Sequence, residues 1–190
     1  MKRLLIVLFG LMLAGCATPE PRGEPYGSGA TLEEWNNAKR SGNISGSFSN
    51  HCSSASEIDA KDILLAVFFL PQSLIERVRL NLPIGQLDMA QDENKLVIRA
   101  LNKSGTPILT HVLVRDGDYT QHAEEIVIST EDDYGDEWSS IHYKRVDHIA
   151  KTPTGDLMIR MDSASTRPGI FGPITVAHTF FLIFRHVPGK

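Results

Sequence analysis

From Leu74 to the end of the chain, apolar and polar residues alternate in short runs. Turn-forming residues interrupt them every ~8 to 14 positions, the texture of an antiparallel meander. The alternation predicts strands over Glu76 to Leu82, Gln86 to Ala90, Lys95 to Leu101, Ile108 to Arg115, Glu124 to Thr130, Ile141 to Ala150, Asp156 to Met161 and Ile174 to Val187. Asp116-Gly117 and Thr154-Gly155 supply residues that tolerate positive φ in tight reversals between them. In the last strand both faces of the second half are apolar, so it is expected to be central and covered.

Upstream, Ile44, Gly46 and Phe48 alternate with small polar residues and predict a first strand ending near Asn50. Two helices are expected. Thr31 to Arg40 has Glu33 and Glu34 in its first turn, Lys39 and Arg40 at its end and Gly42 as a stop. Ser56 to Leu70 places Ile63, Leu64, Val67 and Phe68 at helical spacing before Pro71, with a strand as the competing reading of the continuously apolar Ile63 to Leu70. The expected fold is mainly β with one or two helices, an antiparallel meander forming a barrel or strongly curved sheet, since a sheet of nine strands tends to curl or close.

The longest uninterrupted apolar run is elsewhere. After Lys2 and Arg3, Leu4 to Leu13 carries no charge, and its ~10 residues fall short of the ~20 that span a bilayer as a helix. Two positive charges, a short apolar run and small residues describe a secretory signal. The four residues that end it, Leu13-Ala14-Gly15-Cys16, resemble the lipobox of bacterial lipoproteins. That resemblance implies cleavage between Gly15 and Cys16, a diacylglyceryl group and a further acyl chain, such as palmitate, on Cys16, and anchoring to a membrane through them. It also implies the periplasmic face of the outer membrane of a Gram-negative bacterium, because Ala17 stands where an aspartate would mark retention in the inner membrane.

Residues 17–30, with Pro19, Pro21 and Pro25 among glycines and polar residues, read as a tether. The expected division is therefore 1–15 signal peptide, 16–30 lipidated cysteine and tether, and 31–190 a single β-rich domain. In order and texture the chain also resembles uncharacterised β-rich proteobacterial envelope lipoproteins, through Gly46-Ser47-Phe48-Ser49-Asn50 at the start of the domain. That group brings no catalytic residue with it.

Composition narrows the function. With 42% hydrophobic and 22% charged residues the chain is globular, and removing Lys2 and Arg3 with the signal takes the net charge from -4 to -6. That balance argues against nucleic acid as a partner. With Cys16 acylated, Cys52 has no intrachain disulfide partner and is expected to be buried.

No nucleophile elbow, paired metal-binding histidines, Walker loop or dinucleotide fingerprint occurs, so no catalytic residue, metal or cofactor is assigned. His142 and His148 share a strand face about 20 Å apart, too far for one metal, and His178 lies on another strand. The acidic run Glu131 to Glu137 lacks the calcium-loop register and reads as a solvated hairpin tip.

The expected role is thus a non-enzymatic envelope accessory or interaction module, with an envelope protein or peptidoglycan as partner. The alternative is a carrier of a small hydrophobic ligand held by Phe180, Phe184, Ile63 and Val67 in a lipocalin-like curved sheet. A hydrolase of envelope polymers is the third reading.

Overall fold

The computed structural model describes residues 32–52, 68, 84–134, 140–170 and 172–188. The signal peptide, the lipobox with Cys16, the tether, the helix expected over Ser56 to Leu70 apart from Phe68, the strand expected over Glu76 to Leu82 and the side chain of Cys52 lie outside them.

Nine antiparallel strands and one short helix make up the described chain. The helix α1 is Leu32–Asn37, and the strands are β1 Gly46–Cys52, β2 Ile84–Gln91, β3 Lys95–Asn102, β4 Pro107–Val114, β5 Thr120–Gln121, β6 Ile126–Tyr134, β7 Ile141–Lys151, β8 Leu157–Arg167 and β9 Ile174–His186. Their order in the sheet is β4-β3-β2-β1-β9-β8-β7-β6-β5, so every consecutive pair but β4 and β5 is adjacent and β1 pairs with β9. The result is a curved sheet whose ladder is not closed.

The bend between β4 and β5 follows from parity. Strict up-and-down alternation through nine strands would make β1 and β9 parallel, yet they pair antiparallel. One connection must therefore keep the chain's direction, and it is the joint between β4 and β5. There Arg115 and Tyr119 form a parallel bridge. Asp116 takes a left-handed φ of 63°, its N–H donates to Tyr119 O at 2.7 Å, and the buried Tyr119 ring holds the corner against the core. The sequence element Asp116-Gly117, expected to turn a hairpin, turns a corner. β4 and β5 are two segments of one bent strand, bonded to β3 before the corner and to β6 after it.

One face of this sheet is filled. Phe48, Leu87, Leu96, Ile98, Ile126, Ile149, Leu157, Ile159, Leu182 and Phe184 form a continuous buried cluster, and Phe68 packs into it. The outer face is covered locally by α1, where Trp35 meets Phe181 with ring centroids 6.4 Å apart. The Arg40 guanidinium lies 4.6 Å above the Trp35 ring. Past the helix, Gly42 serves a close approach more than a helix stop. Its N–H donates to Ala123 O at 3.0 Å, and a Cβ there would collide with the His122 carbonyl.

The expected strands are found within two or three residues where they are described, with two larger differences. β6 runs on through Glu131, Asp132 and Asp133, and β8 runs six residues past Met161 to Arg167. Charged and small polar residues there do not end pairing, because the partner strands β7 and β9 continue alongside. The β6–β7 and β8–β9 hairpins therefore outrun the core. In β9, Phe181, Leu182 and Phe184 are buried as expected of a central strand, while Ile174 to His178 is exposed.

Candidate functional site

Strand β7 carries the densest polar chemistry among the described residues, and alternation divides it between two faces. Tyr143, Arg145, Asp147 and Ile149 point into the filled side; His142, Lys144, Val146, His148 and Ala150 point out.

On the inner face Arg145 and Asp147 form an ion pair, Nε to Oδ2 at 2.9 Å, with side-chain exposures of 2% and 0%. The register places Ile128 and Met161 on either side of Asp147, and Ile149 follows it along the strand. These neighbours offer it no hydrogen bond. Burial pushes the Asp147 carboxyl up to about 6, outweighing the attraction of Arg145. Thr130 and Ser163 flank Arg145 in register.

On the outer face His148 stands between two carboxylates, with Nδ1 3.1 Å from Glu125 Oε1 and Nε2 3.7 Å from Asp162 Oδ2. Asp162 in turn meets Arg160 Nη2 at 2.8 Å and accepts a hydrogen bond from the Thr179 hydroxyl at 2.7 Å. All the members of this chain are partly exposed. Both ring nitrogens of His148 face acids, and the one hydroxyl in the network donates to Asp162, so the arrangement holds charge in place without presenting a nucleophile to a base.

The three histidines singled out in the sequence stay apart. His142 pairs through Nδ1 with Asp133 at 2.8 Å, His148 belongs to the acidic network, and His178 lies against Phe180 with centroids 6.1 Å apart. Among the described residues no three histidine, cysteine or carboxylate side chains are placed to hold a metal. Of the proposed ligand residues, Phe184 is fully buried in the core and Phe180 is half-buried opposite Met161. Ile63 and Val67 lie outside the described residues.

Among the described residues, two surface clefts are lined by neither Phe180 nor Phe184. One of about 450 Å³ lies at the hairpin tips between Ser140, His142, Thr166 and Pro168. The other, about 240 Å³, lies between Ser47, Gln86, Leu101 and Lys103. The Arg145–Asp147 pair was missed in the sequence. Its signal was available: in Tyr143-x-Arg145-x-Asp147-x-Ile149 two charges lie between a tyrosine and an isoleucine on one face of a strand. Comparison with protein-family models, curated proteins and solved structures finds no match to this chain.

Proposed function

We propose that this chain is a lipid-anchored envelope protein whose β domain acts by binding a macromolecular partner. In this reading the signal is removed before Cys16, residues 16–30 tether the domain, and acyl chains on Cys16 hold it to the periplasmic face of the outer membrane. The lipobox residues Leu13-Ala14-Gly15-Cys16 support the anchor. Two acyl chains suffice for stable attachment, each buried methylene adding about 0.8 kcal/mol.

The observation that carries the binding role is the β8–β9 hairpin. Beyond the core it exposes Ile170 at 96%, Ile174 at 47% and Val176 at 41%, an apolar surface on an element that the interior does not need. It also lies away from the first described residues of the chain. α1 packs on Phe181, and Ser41 soon after it is bridged to Lys151 at one end of β7, while the hairpin tip lies beyond the other end. Eleven strand residues separate those ends, roughly 35 Å at ~3.3 Å each.

A photo-crosslinking residue at Ile170 in the full lipidated chain tests the role, with a discrete crosslinked protein or glycan expected in intact envelopes. Cys16→Ala tests the anchor and should move a folded chain to the soluble fraction. A variant that stays with the membrane, or an Ile170 probe that captures nothing, would overturn the corresponding half.

A second reading, a carrier of a small hydrophobic ligand, draws on Phe180. It is half-buried on the inner face two residues from Leu182, with the Arg145–Asp147 pair nearby in register as a polar handle. Native mass spectrometry decides it, since a carrier would leave the periplasm with an extractable extra mass.

A further inference from the structure

The open joint of the sheet leaves β4 as an edge whose backbone can be followed rung by rung. Lys95 and Val114 are opposite one another, and the next rung is closed by the Arg115 N–H donating to Asn94 O at 2.8 Å. Val114 itself is turned the other way. Its N–H donates to Asp118 Oδ2 at 2.8 Å, and its carbonyl accepts from the Asp118 N–H at the same distance. Backbone groups alternate sides along an antiparallel strand, so Leu113 and His111 bond to β3, while Val112 and Thr110 point their N–H and C=O into the seam. Among the described residues no strand pairs with that side.

Sheet edges are ordinarily guarded by charge, proline or a bulge. From Ile108 to Val114 this one carries no Lys, Arg, Asp or Glu, and Val112 is 47% exposed on the outer face. Pro107 and the register shift beside it guard only the beginning of the strand. The facing edge differs. β6 pairs with β5 only at Ile126 and Val127, and its continuation bears Glu131, Asp132 and Asp133. Because β5 keeps the direction of β4 and opposes β6, the two flanks of the seam run antiparallel.

We propose that this seam receives an extended, basic segment of a partner protein, added as a strand on β4. Main-chain bonds to Thr110 and Val112 supply affinity, and apolar residues at alternate positions continue the inner face beside Leu113. Lysine or arginine between them points outward, to the side of Glu131 and Asp133. A second copy of this chain fits less well, since it brings the same acidic excess and the same carboxylates. The inference rests on the reading that the domain binds polypeptide.

The test is fluorescence anisotropy of the full chain in detergent, with a short labelled peptide of alternating valine and lysine as probe. Binding should be about tenfold tighter than for the same peptide with glutamate in place of lysine, and it should weaken in high salt. Val112→Pro removes an N–H that faces the seam and spares the ladder to β3, so it should cost about tenfold in affinity with the melting transition retained. If that variant unfolds, Thr110→Lys supplies the same test by placing a repelling charge on the edge.

Equal binding of the glutamate peptide, or binding indifferent to both substitutions, overturns the proposal. So does a dimer in sedimentation equilibrium that Val112→Pro dissolves, which would give the edge to a second copy. If the peptide fails while the Ile170 probe still captures a partner, only the seam is lost. If both fail, the binding role falls with it.

Discussion

The two faces of β7 hold charges of the same kinds under opposite conditions. Inside, the paired Arg145 and Asp147 are out of reach of water; outside, Glu125, Asp162 and Arg160 share their charges with solvent around His148. A buried pair gains little net stability from its attraction, because two charges had to be stripped of water. Breaking such a pair is nevertheless costly, since the survivor remains stripped. The outer chain has less desolvation to recover and correspondingly less to lose. Ion pairs of similar length on one strand should therefore differ severalfold in what their loss does.

The sharpest way to break that contrast is to remove one inner partner. Arg145→Met should destabilise the domain by about 3–5 kcal/mol at neutral pH, read from urea midpoints, because an unpaired carboxylate is left among Ile128, Met161 and Ile149. Adding Asp147→Leu should recover most of the loss. A cost below about 1 kcal/mol for the single change would show that water reaches Asp147.

Next in size is the pH dependence. The Asp147 carboxyl titrates near 6 when folded, against an ordinary 3.8, so the folded state binds a proton more tightly than the unfolded one. The contribution is favourable at acid pH and is lost as pH rises from about 4 through 6, by roughly 3 kcal/mol. Asp147→Asn removes this component while leaving the other titrating groups in place. The difference between the stability profiles of parent and variant should therefore slope across that window and be level above pH 7. A level difference throughout would mean that Asp147 ionises as readily folded as unfolded.

How much of this could be read in the sequence depends on the range of the interaction concerned. Strand positions and the face assignments of β7 follow from period-two alternation, a local property, and so does the separation of His142 from His148. The meander follows from short connections such as Thr152 to Asp156. What could not be read depends on partners far along the chain. β5 is two residues long and exists because Ile126 and Val127 lie beside it. β8 continues through Ser163 and Ser165 because Val176 and His178 pair with them. The corner at Asp116 has the residue chemistry of a hairpin turn; its parallel geometry is set by the antiparallel pairing of β1 with β9, more than a hundred residues apart in sequence. The buried ion pair was legible in part, since alternation groups Tyr143, Arg145, Asp147 and Ile149 on one face; that this face is the inside is set by the core it packs on.

On the outer face the expected effects are smaller. His148→Gln removes the two acid contacts and keeps a polar side chain of similar reach. Its cost should be about 1 kcal/mol or less by chemical denaturation. A double-mutant cycle with Glu125→Gln should return a coupling of about 0.5 kcal/mol. A coupling approaching that of the inner pair would place the network in a dry environment and remove the contrast between the faces.

The smallest effect belongs to the end of the same face. Lys144 Nζ meets Glu131 Oε1 at 2.8 Å, and the hydrogen bond and charge of Lys144 hold the Glu131 carboxyl below its usual range. Both side chains are more than half exposed. Solvent screens the attraction, and ordering two long side chains offsets much of what remains, so Lys144→Ala should leave the urea midpoint almost unchanged. A larger loss in the urea midpoint would mean that the outrunning part of the β6–β7 hairpin is held by its surface charges rather than by the ladder to β8. The substitution also removes a cation beside the acidic flank of the seam. Affinity for the valine–lysine peptide should then rise about twofold even though stability barely moves. A gain in binding without a change in stability would separate what these charges do for a partner from what they do for the fold.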